Sequence, residues 1–180
     1  SWLTVPVHHS RDTKIKDVQI NHTVPWQRKH WKTLEQSYRK AKYWNEYAPF
    51  LEEVYSDTTK YNGFLNSLAY LNSYLVRWFL DELNIKVTYL KASSYIFTGT
   101  KSALVLEMCQ QLGANTYIFG AKGRDYADVN AFEQAGIEVR FQDYKHPEYS
   151  QFGGSFQSHL SVIDLLFHHG PKAKEILMGG

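Results

Sequence analysis

The chain has 180 residues and one cysteine, Cys109, so it is a single domain by size and holds no intrachain disulfide. Its net charge of only +2, with dispersed Lys and Arg, argues against a nucleic-acid partner. Aromatic residues make up 16%, which suits either a sugar or nucleotide cleft or large half-buried helices.

The segment WLTVPV (2–7) predicts a strand, and IKDVQI (15–20) a second extended run across a polar connection. Residues 1–7 are too short, and lack the charged start, for a signal peptide. NHTVPW then opens a helix, with Thr23 as the expected cap and Pro25 near the first turn. Trp26, His30, Leu34 and Tyr38 recur on one face of it. The mild basic cluster at 28–42 falls on this helix and reads as a solvated face. A short helix is expected at 48–55 and a turn at Asn62-Gly63.

Residues 64–83 are apolar nearly all round and predict a long helix through the core. Asn66, Asn72, Arg77, Asp81 and Glu82 make it a poor membrane span. With one thiol, the reading is a soluble cytoplasmic protein without a membrane span. KVTYL (86–90) predicts a strand, followed directly by Ser93 and Ser94. A helix at 100–112 carries Cys109 as a buried inert thiol, against the alternative of a nucleophile, and ends at Gly113. NTYIFG (115–120) is a short buried strand and AKGRDY the loop after it. A helix at 129–135 stops at Gly136, and IEVRFQ (137–142) is an alternating strand. An aromatic, Gly-rich stretch, YKHPEYSQFGGSFQSH, then feeds an apolar helix at 160–168, and PKAKEILM closes as a helix. Strand and helix alternate through this half. The expected class is α/β, a mainly parallel or mixed sheet flanked by helices, with a helical insertion in the first half.

Several constellations could carry chemistry. In α/β sheets ligands sit beyond the carboxyl ends of strands. Gly120 and Gly123 would let the backbone approach a ligand there, Lys122 and Arg124 would neutralise an anion, and Tyr126 is a further binding candidate; the alternative is a flexible connection with solvated charges. Ser93 and Ser94 occupy a similar strand end, as caps or as binders of a ligand hydroxyl or carboxylate; no G-x-S-x-G elbow makes either a nucleophile. His30 is the best general-base candidate of the eight histidines; the alternative is a core-edge histidine satisfied by one hydrogen bond. Asp164, inside SVIDLLF, must be paired, hydrogen-bonded or perturbed, with His168 four residues on over the same face. It is either a site carboxylate or a structural anchor. Neighbours in a strand point to opposite faces and neighbours in a helix diverge by about 100°, so neither His8-His9 nor His168-His169 chelates by itself. No H-E-x-x-H or Cys/His framework is present, and no metal is expected. Nothing specifies a cofactor.

Taken together, WLTVPV, IKDVQI, W-x-x-x-H at Trp26 to His30, Tyr38 with AKYW, Ser93-Ser94, LGANTYIFGAKGRDY, HPEYSQ and LSVIDLLFHHG resemble the WbqC-like family over nearly the whole chain. The resemblance implies one WbqC-like domain over 1–180. It also implies an upstream H-Q-P or M-Q-P segment, so the chain is expected to lack the family's N-terminal part. Placement in O-antigen gene clusters implies glycine transfer, or acyl transfer more broadly, to an amino sugar. On that reading His30 and Asp164 are catalytic candidates. Ser93, Ser94, Gly120, Lys122, Gly123, Arg124, Tyr126, His146, Tyr149 and Gln151 bind a nucleotide-linked or lipid-linked amino sugar and an activated amino acid. A carrier-protein thioester is one donor left open. The alternative is a non-catalytic sugar- or nucleotide-binding module of a polysaccharide assembly complex. The segments at 93–94, 120–126 and 144–151 are expected to converge on one cleft, with His30 facing it.

Overall fold

A computed structural model describes residues 2–56 and 66–179; the expected turn at Asn62-Gly63 and the start of the expected long helix, Phe64 and Leu65, lie outside the described residues. The fold is mixed α/β, mostly helical, with two small sheets. The chain divides into two compact units, Ser1–Val87 with His146–Gly180, and Thr88–Lys145.

In the first unit, β1 (Val7–His8) pairs antiparallel with β2 (Gln19–Ile20), and a 3-10 turn at Ile15–Asp17 takes the first half of the expected IKDVQI strand. Residues 66–68 extend the ladder, with the Ile20 amide donating to the Asn66 carbonyl at 2.7 Å. Helix α1 (Trp26–Tyr38) buries Trp26, His30 and Leu34, as the spacing predicts. Its cap position is Pro25 rather than Thr23, whose hydroxyl instead donates to Asn21 Oδ1. Helix α2 (Trp44–Ser56) starts before the expected 48–55 segment and buries Tyr47, Ala48, Leu51, Val54 and Tyr55.

Helix α3 (Leu68–Glu82) is capped by Ser67. It buries only Leu71 fully, so it is not the expected core-spanning helix. Its large aromatics lie half-buried against the core, with Trp78 stacked on Phe50 at 4.3 Å. Helix α6 (Val162–His169) buries Asp164, Leu165, Leu166 and Phe167. The Phe167 ring meets Tyr38 and Trp44 at 5.0 and 5.1 Å. Much of the aromatic content is therefore spent on helix packing. The chain leaves α6 at Gly170, with φ +51°, where a Cβ would come within 2.5 Å of the Tyr43 ring. A short turn leads into α7 (Ala173–Met178).

The expected KVTYL strand, which runs from the end of the first unit's segment into the second, is absent; residues 86–90 form no ladder, so the apolar alternation there found no partner strand. Ser93 and Ser94 therefore sit in a 3-10 turn, Ala92–Ser94, and not at a strand end. Helix α4 (Lys101–Gln111) is followed by Gly113 at φ +65°. Strand β3 (Thr116–Phe119) pairs in parallel with β4 (Glu138–Phe141), joined through α5 (Val129–Gln134). Among the described residues this parallel pair and the antiparallel β1–β2 pair stay separate two-stranded sheets, in place of the expected single larger one. Cys109, Phe119, Phe132 and Ile137 form the buried centre of this unit. No helix among the described residues is long and apolar enough to cross a membrane.

Candidate functional site

The site is built around Asp164. Ser161 caps α6, and the carboxylate follows in its first turn. It is 3% exposed, inside an otherwise apolar run. A carboxylate so placed needs donors. The loop at 146–159, mostly exposed but with Tyr149 and Gln151 turned partly inward, supplies them: the Tyr149 hydroxyl donates to Oδ2 at 2.9 Å and Gln151 Nε2 to the same oxygen at 2.8 Å. Both partners lie outside α6, as expected of a buried carboxylate.

Gln151 does more than reach Asp164. Its Oε1 accepts from the Gln157 amide at 2.8 Å and its Nε2 donates to the Gln157 carbonyl at 3.1 Å. One side chain thus pins both ends of the 151–157 loop and anchors it to α6. The loop turns through Gly153 and Gly154 at φ +95° and +133°.

His168 holds the same loop from one turn further on. Its Nδ1 lies 2.7 Å from the Asp164 carbonyl, which only accepts, so Nδ1 carries the proton. The Phe152 amide donates to its Nε2 at 3.3 Å, so Nε2 is bare. The ring is therefore neutral in this arrangement. Its 3.6 Å approach to Asp164 Oδ1 is a contact behind the ring and not a full ion pair. Phe152 lies against His168 at 5.1 Å, and His169 Nε2 donates to the Ser150 carbonyl at 2.9 Å.

These groups border an open concavity of about 290 Å³, whose lining is completed by Ser37, Tyr38, Ser155, Gln157 and Leu160. Burial first, then the Asp164 carboxylate, push the Tyr38 phenol well above its ordinary value, so it stays a neutral hydroxyl. Among the described residues no group of three or more His, Cys, Asp or Glu could hold a metal ion.

Of the candidates read from the sequence, Tyr149, Gln151 and Asp164 come together here. His146 belongs to the same loop, its Nδ1 donating to the Pro147 carbonyl at 2.9 Å and its ring packed on Tyr149, Phe156 and His159. His30 does not line the concavity. It is 3% exposed, wedged between Trp26 and Tyr55. Its Nε2 donates to the Thr4 carbonyl at 3.2 Å, while Nδ1 is buried without a partner among the described residues, as is Trp26 Nε1. Burial, its largest influence, holds the ring below the ordinary histidine value.

The remaining candidates belong to the second unit. Ser93 and Ser94 are exposed. Gly120 is exposed, and a Cβ there would meet nothing. Gly123 packs inward, where a Cβ would come within 2.4 Å of Phe119 Cβ, so its lack of a side chain serves packing. Lys122 and Tyr126 are exposed, and the Arg124 guanidinium lies 4.8 Å above the Phe141 ring.

Sequence reasoning passed over Tyr38, Phe152 and His168 as site residues. The Asp164–His168 spacing was the available signal for one of them; Phe152 and Tyr38 join only through the folded loop.

Comparison with known proteins places the chain among relatives. The sequence profile of the WbqC-like protein family matches residues 1–176, running through both units. The uncharacterized protein Rv1507c of Mycobacterium tuberculosis is 31% identical over 179 residues, covering 98% of this chain and 75% of that protein. No solved structure matches. The chain belongs to the WbqC-like protein family.

Proposed function

We propose that the chain is an aminoacyl or acyl transferase acting on an amino sugar in surface-polysaccharide synthesis, with glycine as the amino acid the family resemblance suggests. The observation that carries this reading is the oriented His168 at the concavity. Its Nδ1–H is fixed on a backbone carbonyl with a carboxylate behind it, and its bare Nε2 is held only by a 3.3 Å bond from the Gly-rich loop. A small shift of that loop frees Nε2 as a general base. The sugar amine would then lose its proton to Nε2 as its nitrogen attacks the donor carbonyl. The C–N bond forms as the bond to the donor's leaving group breaks. Asp164, engaged by Tyr149 and Gln151, acts as a positioning residue. The base is taken from His168 rather than His30 because only His168 lines the concavity.

The acceptor is a nucleotide-linked or lipid-linked amino sugar. The donor is a carrier-protein thioester or another activated amino acid. Mass spectrometry of the protein incubated with amino-sugar nucleotides and aminoacyl donors tests this. An acylated sugar is expected, lost in His168→Gln and kept in His30→Gln. A product that persists in His168→Gln removes that base.

A second reading, a non-catalytic sugar-binding module, is favoured by the same hydrogen bonds: both polar atoms of the Gln151 side chain and His168 Nε2 are engaged at the loop, and His168 Nδ1 is engaged on its own helix. Binding of the amino sugar with no turnover of any donor decides for it.

A further inference from the structure

The concavity has a charge pattern that restricts what enters it. Asp164 contributes the one carboxylate of the lining, and no Lys or Arg contributes to it among the described residues. His168 Nε2 accepts the Phe152 amide and so presents no N–H donor to an anion in this arrangement. The exposed Arg39 and Lys40 follow Tyr38 in the chain but stay outside the lining. A phosphate entering here would lose water and meet a carboxylate, with no cation to offset either cost. Phosphate recognition relies on Arg, Lys or a cluster of free backbone amides. Of the loop amides, those of Phe152 and Gln157 are already donated, to His168 and Gln151, and the case against phosphate rests on the lining's lack of Lys and Arg beside a carboxylate.

What the lining does offer is short polar reach. Ser37 and Ser155 present hydroxyls, Gln157 a side-chain amide, and Tyr38 a neutral phenol that hydrogen-bonds Asp164. Phe152 is 47% exposed and adds an apolar ring face beside them. Hydroxyl and amide partners around one aromatic face match a ring that carries hydroxyls on its edge and C–H groups on its face.

Resting on the transferase reading above, we infer that this concavity holds the sugar ring of the acceptor, neutral or aminated, and leaves its phosphate outside. The amino group is compatible with the pocket because the only formal charge there is negative. Phe152 is the platform, and the Gln151 clamp sets its position through the loop it closes.

The test uses the full chain and a free 2-amino-2-deoxyhexose, glucosamine, as probe. Saturation-transfer NMR reads contact between protein aromatic protons and the sugar ring protons. Transfer to the ring protons is expected. It should fall severalfold in Phe152→Ala and be unaffected by excess inorganic phosphate. Ser155→Lys, on an exposed loop position, should make the sugar signal sensitive to phosphate competition. The inference is overturned if the sugar shows no transfer, if Phe152→Ala leaves it unchanged, or if phosphate already displaces it from the native protein. Acyl transfer is measured separately. Sugar contact without any acyl transfer keeps the pocket and removes the transferase reading. Transfer that is indifferent to Phe152→Ala and Ser155→Lys keeps the transferase and removes the pocket.

Discussion

Two loops drew attention in the sequence, and they are held in opposite ways. The loop at 146–159 is tied down by side chains: Tyr149 and Gln151 on Asp164, Gln151 on Gln157, and His168 on Phe152. The loop at 120–126 is held by its own backbone, as a 3-10 turn in which the Gly123 amide donates to the Gly120 carbonyl at 2.8 Å. Its charged side chains are left in solvent, apart from Arg124 over Phe141. A loop that spends polar side chains on a buried carboxylate is anchored at those points, which positions a binding site while the residues between can still shift. A backbone turn packed through a glycine requires only a small residue at one point.

The sharpest break should come where the first loop's helix ends. Gly170→Ala places a Cβ at φ +51° and within 2.5 Å of the Tyr43 ring. Left-handed strain and overpacking act together, and a loss of about 3 kcal/mol is expected. Denaturant unfolding measures it; a midpoint within error of the native protein would mean that the Tyr43 contact yields freely.

Asp164→Ala should come next, at about 2 kcal/mol, because two donors lose a charged acceptor. The diagnostic is local. Amide exchange at Phe152 and Gln157 should speed up well beyond the global change in stability. Asp164→Asn, which keeps an acceptor oxygen, should restore part of the protection. Equal exchange in all three proteins would mean that the carboxylate does not organise the loop.

The second loop should be more forgiving. Gly123→Ala meets Phe119 at 2.4 Å and should cost about 1–2 kcal/mol by overpacking. Lys122→Ala, on an exposed side chain, should change stability by less than about 0.5 kcal/mol. A large loss in Lys122→Ala would show a partner for that charge and erase the contrast between the loops.

The sequence disclosed the parts of this comparison that depend on local pattern. The Trp26–His30–Leu34 face, the stops at Gly113 and Gly136, and β3 and β4 follow from periodicity and turn chemistry. Asp164 was legible because a carboxylate among Val162, Ile163, Leu165 and Leu166 has to find partners. KVTYL misled because alternation predicts a strand only where a neighbour exists to pair with it. Of the expected WLTVPV strand (2–7) only Val7 is in β1, which ends one residue beyond it, since its partner β2 offers only two residues. The Gln151 clamp and the His168 tautomer had no sequence signature. They arise from pairings across a loop with no period, and only the fold brings them together.

The smallest effect distinguishes the environments of buried His30 and partly buried His168 in the first unit. His30 has a folded value below the ordinary 6.5, set first by burial, opposed by its hydrogen bond to Thr4 and reinforced by Lys29. Between its folded value and 6.5 the unfolded chain binds more protons than the folded one. His30 therefore lowers stability as the pH falls through 6.5, and its contribution levels off below the folded value. Above 6.5 it contributes no pH dependence. His30→Gln carries no titrating ring, so its Tm should decline less than the native Tm between about pH 7.5 and 5, whatever its absolute stability. His168→Gln provides the comparison at the loop: it should accelerate amide exchange at Phe152, whose partner it removes, while His30→Gln leaves that amide protected. Parallel pH profiles for the native protein and His30→Gln would mean that water reaches the unpartnered Nδ1, and that the His30 environment is not the dry one its 3% exposure implies.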